Sequence, residues 1–440
     1  MEPHPVDQRL PPLRLLALGL QHVLVMYAGA VAVPLILGGA LGLPNDRVAL
    51  LVSSDLFVAG LVTLVQTVGI GGFGIRLPVM MGVTFASVGP MLAIATRPEL
   101  GLPAVYGGVI VAGAFGIVVA PAIGRLRGLF PPVVTGTIIA VIGISLMRVA
   151  VNWAAGVSSP TQPGYGDPRR LAVALLVLVS ILAVVKYGRG FAASIAVLLG
   201  IGAGFAVALA TGLARLGGLS EAAWIGLVYP LQFGRPVFDP GAVTTMCLVM
   251  LVVMVESTGM FLTLGQLTGR PVSAADLSRG LRADGLGTLV GGIFNTFPYT
   301  SFSQNVGLVG VTGVRSRWVC ATGGALLVLL GLLPKLSHLV AAVPSFVLGG
   351  AGIVMFGMVA ATGIRILAAV DYERQPGSVY VVAVGLGVGM IPLLADRFFD
   401  ALPRALSPLL HSGILLASVV AVLLNLYFNG VSPYEISDRE

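Results

Sequence analysis

The strongest constraint on this chain is a succession of apolar runs, most about 20 residues long, whose short intervening breaks hold nearly all of its charge. About 20 apolar residues is what a helix needs to cross a hydrocarbon layer of roughly 30 Å. The runs begin near Leu15, Val48, Val79, Ala104, Pro131, Leu171 and Ala192, and again near Ala242, Leu286, Ser301, Trp318, Leu339, Val379 and Leu409. Seven stand on each side of a longer connector, Ala214 to Asp239. With 57% hydrophobic and 10% charged residues and a mean hydropathy of +0.99, a water-soluble fold could not cover the apolar surface. The expected fold is therefore an all-α integral membrane bundle of 14 spans. The 60 glycines and 28 prolines suit membrane helices that pack closely or break.

Fifteen of the 25 Lys and Arg residues fall in alternate connections together with both termini, which by the positive-inside rule puts both termini in the cytoplasm. An odd number of spans per half then makes the halves insert with opposite topology, a 7+7 inverted repeat. Residues Met1 to Pro12 do not have the form of a cleavable signal peptide. The net charge of +7 is scattered, so nucleic acid is not an expected partner. Cys247 and Cys320 sit in or beside apolar runs, where a thiol behaves as a small hydrophobe. There is no phosphate-binding glycine loop, no catalytic motif and no histidine cluster with metal spacing, and no cofactor is expected.

The third and tenth runs depart from the pattern. Arg76 to Pro90 and Asn295 to Gly307 are short, proline-bearing and polar, and they occupy corresponding places in the two halves. Each reads as a short extended segment leading into a half-helix, a broken span of the kind that builds a midplane binding site. Tight packing contacts are the plainer alternative.

Three acids fall inside apolar runs, and an ionisable group there is costly unless it is paired, hydrated or neutral. Glu256 lies mid-run, where a carboxyl can hold a proton and donate, or accept N–H donors once ionised; a protonated packing role is the alternative. Asp284, preceded by Arg279 and Arg282, reads equally as a helix cap and as a proton relay. Asp55, after Ser53 and Ser54, reads as a partner of a helix N-terminus and stands outside the expected site. Gln304 and Asn305 form an amide pair suited to the rim of a planar heterocycle carrying N–H and C=O groups. Phe85 can stack on such a ring, packing being the plainer role, with the Thr84 hydroxyl or nearby backbone N–H groups completing the rim; His22 is a hydrogen-bonding candidate, a structural role being the plainer reading.

Gln304-Asn305-Val306-Gly307, followed after four residues by Thr312-Gly313, resembles the signature of the nucleobase/ascorbate transporters, the second nucleobase-cation symporter family. Glu256-Ser-Thr-Gly259 resembles that family's eighth-helix motif, Val83-Thr-Phe85 its third-segment motif, and the likeness runs from Gly19-Leu-Gln-His22 onward. The resemblance implies a proton-coupled symporter of oxopurines in a bacterial inner membrane, working as a homodimer in which a core domain moves against a gate. It implies Glu256, Gln304, Phe85 and Thr84 at the substrate, with Asp284, Asn305 and His22 supporting binding or proton coupling. The expected divisions are a cytoplasmic tail 1–13, core 14–125 and 239–336 (spans 1–4 and 8–11), gate 126–238 and 337–430 (spans 5–7 and 12–14), and a tail 431–440. Gln304 points to the purine branch. Met260, where many xanthine-type members carry Asp, tilts the expectation to urate, with xanthine or a broader purine/pyrimidine nucleobase symporter next; Gly313, where some members carry Arg or Lys, is a second specificity position. An anion exchanger or channel of the same architecture is the alternative from another class.

Overall fold

The structure, a computed structural model, describes residues 4–126, 129–157, 163–216, 219–395, 397–403 and 407–430. The tail 431–440 therefore lies outside the described residues. The N-terminal half runs α1 (Pro12–Ala40), α2 (Asn45–Val68), strand β1 (Met81–Val83), a single 3-10 turn at Phe85–Ser87, α3 (Val88–Ala95), α4 (Gly101–Leu126) and α5 (Pro132–Ala154). It continues through α6 (Pro168–Tyr187), α7 (Phe191–Ser194) and α8 (Ala196–Ala210). The C-terminal half comprises α9 (Pro240–Thr268), α10 (Ala274–Ile293), β2 (Tyr299–Ser301), α11 (Ser303–Thr312), α12 (Arg317–Gly331) and α13 (Pro334–Ala341). It closes with α14 (Ser345–Ala368), α15 (Gly377–Leu394), α16 (Ser407–Leu410) and α17 (Gly413–Asn429).

Local chemistry sets where these helices begin. Proline, whose missing N–H costs nothing in a first turn, opens α1, α5, α6, α9 and α13. Asp167, Asp239 and Ser412 cap α6, α9 and α17 by accepting backbone N–H groups, and Ser273 with Asp276 forms a reciprocal capping box on α10. Among the described residues, 8 helices are long and apolar enough to cross a membrane, or 9 if α12 and α13, bent by 82°, count as one span. The chain is a multi-pass, all-helical membrane protein. The ninth run starts earlier than its hydropathy suggests, because α10 begins at Ala274 and its polar first turns are helical too. The twelfth starts later: α13 stands apart, and α14 begins at Ser345.

Helices pack through small residues. Gly113 of α4 faces α10 so closely that an added Cβ would lie 2.2 Å from the Leu289 backbone nitrogen. Such contact lets backbones approach where no water-driven force joins them. α2 lies along α12, α5 along α14, and α15 along α17. A second, smaller apolar cluster unites α6, α8 and α14.

The extended pieces expected in the two short segments are β1 and β2, and they pair antiparallel, Met81 opposite Ser301, Gly82 opposite Thr300 and Val83 opposite Tyr299. Bonds from Thr84 N to Pro298 O (2.8 Å) and from Phe302 N to Met80 O (2.9 Å) continue the ladder at its ends. Each strand feeds a short helix, α3 or α11, so two broken segments meet back to back inside the bundle.

One end of the bundle is strapped by the N-terminal segment. Val6 is fully buried, Arg317 N donates to its carbonyl at 2.9 Å, and Ser316 Oγ donates to Gln8 O at 2.7 Å. Asp7 sits between Arg317 (2.6 Å) and Arg270 (3.0 Å), joining the start of α12 to the end of α9.

Candidate functional site

Glu256 stands midway along α9, where the helix passes the paired strands. Its Oε2 accepts from Thr84 Oγ1 at 3.3 Å, and the same Thr84 oxygen accepts from Ala86 N at 3.1 Å, capping the turn that follows β1. The next residue, Ser257, meets the other strand: its Oγ lies 3.2 Å from Thr300 Oγ1 and accepts from Ser301 N at 3.3 Å. One turn of α9 thus touches both broken segments.

A small cavity opens at this junction. Phe85, Glu256, Met260 and Gln304 line one side, Thr300 to Ser303 run along its base, and Ile139 and Ile142 of α5 with Val359 and Thr362 of α14 face them. The polar groups therefore come from the strands, α9 and α11, and the opposite wall is mostly aliphatic. The cavity holds about 30 Å³, room for roughly two waters. Phe302, also in the lining, is fixed between two glycines: a Cβ on Gly82 would fall 2.2 Å from its ring and one on Gly29 2.7 Å. Phe85 packs edge-on against Phe356, centroids 5.4 Å apart.

The two amides part company. Gln304 lines the cavity and its Oε1 accepts from Ser303 Oγ at 3.4 Å. Asn305 is fully buried and turns the other way, its Nδ2 donating to His22 O at 2.9 Å and lying 3.1 Å from His22 Nδ1. Successive residues of a helix point about 100° apart, so an adjacent pair cannot serve one ring edge together. His22 is buried in α1 behind α11, with Cys320 Sγ 3.8 Å from its Nδ1.

Asp284 is not a cap. Ser273 and Asp276 occupy that role, Arg279 pairs with Asp276, and Asp284 lies fully buried in the middle of α10. Gln66 Nε2 donates to its Oδ1 at 2.6 Å. Asp55 likewise departs from its expected place: it lies deep in α2, fully buried, with Thr296 and Tyr299 hydroxyls on Oδ1 at 3.1 and 2.9 Å. Gly313 ends α11 in a left-handed conformation, φ 66°, exposed and outside the lining. Thr84 touches Glu256 without itself facing the cavity. The serine and threonine floor and the aliphatic wall carry no cue in sequence, since such residues look alike whether they face lipid, protein or a cavity. Among the described residues no cluster of His, Cys, Asp and Glu is suited to a metal ion.

The comparisons with known proteins agree with this architecture. The uric acid transporter UacT of Escherichia coli K12 is 54% identical over 97% of this chain and 88% of its own. The xanthine permease of Bacillus subtilis 168 is 43% identical over 97% of this chain and 96% of its own. In structure the chain resembles the transmembrane domain of the cyanobacterial bicarbonate transporter BicA, with TM-score 0.59 at 16% identity, covering 95% of this chain and 98% of that one. It also resembles the anion transporter Slc26a9 from mouse, with TM-score 0.61 at 13% identity, covering 96% and 69%. The xanthine/uracil permease model, described as a permease family, matches residues 13–397. The chain therefore belongs to this family of membrane permeases, the nucleobase/ascorbate transporters, and is a transporter and not an enzyme.

Proposed function

We propose that the chain is a proton-coupled symporter of oxopurine bases, with urate its preferred substrate and xanthine the runner-up. The observation that carries the reading is a cavity lined together by a carboxyl, Glu256, an amide, Gln304, and an aromatic ring, Phe85. A flat heterocycle bearing N–H and C=O groups uses all three: the carboxyl takes N–H donors, the amide offers a donor and an acceptor, and the ring stacks. The names of the relatives, a uric acid transporter and a xanthine permease, support the same substrate class. Among the described residues no Lys or Arg lines the cavity, which disfavours an anion exchanger in spite of the likeness to bicarbonate and other anion carriers.

The packing supports 14 spans in a 7+7 inverted repeat, with α7 and α8 as span 7, α9 and α10 as spans 8 and 9, and α12, α14, α15 and α17 as spans 11 to 14. If span n corresponds to span n+7, the pair α4 with α10 maps onto α12 with α2, and α1 with α12 onto α9 with α4; all four pairs are in contact. The core domain is 14–125 with 239–336, and the gate 126–238 with 337–430. The core supplies the polar side of the cavity and α5 and α14 of the gate its aliphatic wall. A space of about 30 Å³ is far smaller than a purine, so substrate enters when core and gate part. Glu256 takes a proton from the periplasmic side, the base binds between Phe85 and the Glu256 and Gln304 pair, and the core carries both past the gate. Asp284, Asn305 and His22 support the carboxyl and α11 from behind. The setting is a bacterial inner membrane, with both termini cytoplasmic, and the chain works as a homodimer.

Uptake of radiolabelled urate and xanthine by cells expressing the chain, with and without a protonophore, tests this reading. Protonophore-sensitive urate uptake, weakly competed by xanthine, is the expected result. Uptake of neither base removes the substrate assignment, and protonophore-resistant accumulation removes the proton.

A further inference from the structure

The buried carboxyl of Asp55 lies outside the cavity, yet it is bonded to the strand that forms the cavity floor. Its Oδ1 accepts from Tyr299 OH at 2.9 Å and Thr296 Oγ1 at 3.1 Å. The Tyr299 hydroxyl also lies 3.0 Å from the Asp55 backbone carbonyl and 3.1 Å from Thr296 Oγ1. Asp55, Thr296 and Tyr299 are each fully buried. Tyr299 is the first residue of β2, and Thr300 beside it lines the cavity and meets Ser257 Oγ at 3.2 Å, next to Glu256. Eight residues, about two turns, further along α2, Thr63 Oγ1 accepts from Met81 N of β1 at 2.9 Å. One helix therefore holds both strands of the two-stranded sheet, β1 through a hydroxyl on its backbone and β2 through a carboxyl on its tyrosine. A pair of three-residue strands has little stability of its own, so its position must be imposed by what it is bonded to.

We propose that Asp55 is a positioning residue for substrate binding, acting through Tyr299 to set β2, and with it Thr300, against Glu256. The proposal rests on the substrate reading above only for its transport assay.

The test compares Asp55→Leu, Asp55→Asn, Tyr299→Phe and the Asp55→Leu/Tyr299→Phe double variant, with membrane abundance measured for each. Expected are a urate KM raised about fivefold or more in Asp55→Leu and Tyr299→Phe, with Vmax per transporter within about twofold. The double variant should be no worse than the poorer single, since both break one connection, and Asp55→Asn, which keeps an acceptor oxygen, should restore KM to near the parent value. Fully additive losses, or an Asn variant as poor as Leu, overturn the proposal. If Asp55→Leu does not accumulate, Tyr299→Phe decides alone: an unchanged KM overturns it. A second readout needs no substrate. With Cys247 and Cys320 replaced by alanine, maleimide labelling of a Thr300→Cys variant should quicken about fivefold or more when Asp55→Leu is added, and an unchanged rate overturns the proposal. If the parent carries neither base and adding Asp55→Leu still quickens the labelling, the substrate reading fails and this one stands.

Discussion

Gln66 Nε2 donates to Asp284 Oδ1 at 2.6 Å and so fastens the last turn of α2 to the middle of α10. The same amide group donates to Gly280 O at 2.8 Å, and its oxygen accepts from Ile75 N at 2.9 Å. The side chain is fully buried and three of its hydrogen-bonding positions are used.

Replacing it by leucine strands the buried Ile75 N–H and one carboxyl oxygen of Asp284, while Gly280 O, inside α10, keeps its helical bond; each orphaned group costs about 1–3 kcal/mol. Gln66→Leu is expected to lower the thermal midpoint of the detergent-purified protein by several degrees and to depress uptake per transporter. Gln66→Glu should be harmful too, because it replaces a donor to Asp284 with a second carboxyl. A melting curve that overlays the parent's for both variants refutes the account.

Glu256 was legible in the sequence because an acid in the middle of an apolar run has few uses, and the structure finds it bonded to Thr84 beside a cavity. The broken segments were legible for a related reason: proline and polar residues interrupt an otherwise apolar run. The depth of Asp284 in its helix was not, because α10 buries glycine and alanine against α4 and needs little hydropathy, so its true start was hidden and a cap looked as good as a buried role. Asp55 was opaque for a different reason. Its partners Thr296 and Tyr299 lie 241 and 244 residues away, and no local pattern announces them.

For Glu256 the proposed role makes a sharp prediction. Glu256→Gln keeps the size of the side chain and can still bond to Thr84 but cannot exchange a proton. Accumulation of base against its gradient should fall to background, while the variant still reaches the membrane in parental amounts. Uphill uptake preserved in Glu256→Gln would place proton coupling elsewhere.

Met260 lies one helical turn beyond Glu256 and lines the same cavity. Met260→Asp adds a carboxyl to a lining that contains no cation, which opposes an anionic ligand more than a neutral one. Urate is the more acidic of the two bases. The ratio of urate to xanthine uptake should therefore fall by about tenfold, equivalent to about 1.4 kcal/mol of discrimination, as measured by competition at fixed label. An unchanged ratio takes Met260 out of the specificity argument.

At the strapped end of the bundle two variants should separate a buried contact from an exposed one. Arg317, with a side chain 14% exposed, donates to the Thr67 and Val68 carbonyls at 2.7 and 3.0 Å, closing the last turn of α2, besides pairing with Asp7. Asp7 is 34% exposed and its second partner, Arg270, 38% exposed, so solvent screens that pair and its worth is about 0–1 kcal/mol. Arg317→Ala removes charge-assisted bonds of about 1.5–3 kcal/mol and leaves two helix carbonyls unpaired. It should lower the thermal midpoint clearly more than Asp7→Asn does. Raising the salt concentration should narrow the gap between Asp7→Asn and the parent, since ions screen the exposed pair, yet leave most of the Arg317→Ala deficit in place. Equal losses in the two variants, both erased by salt, would mean that the strap is held by surface charge alone.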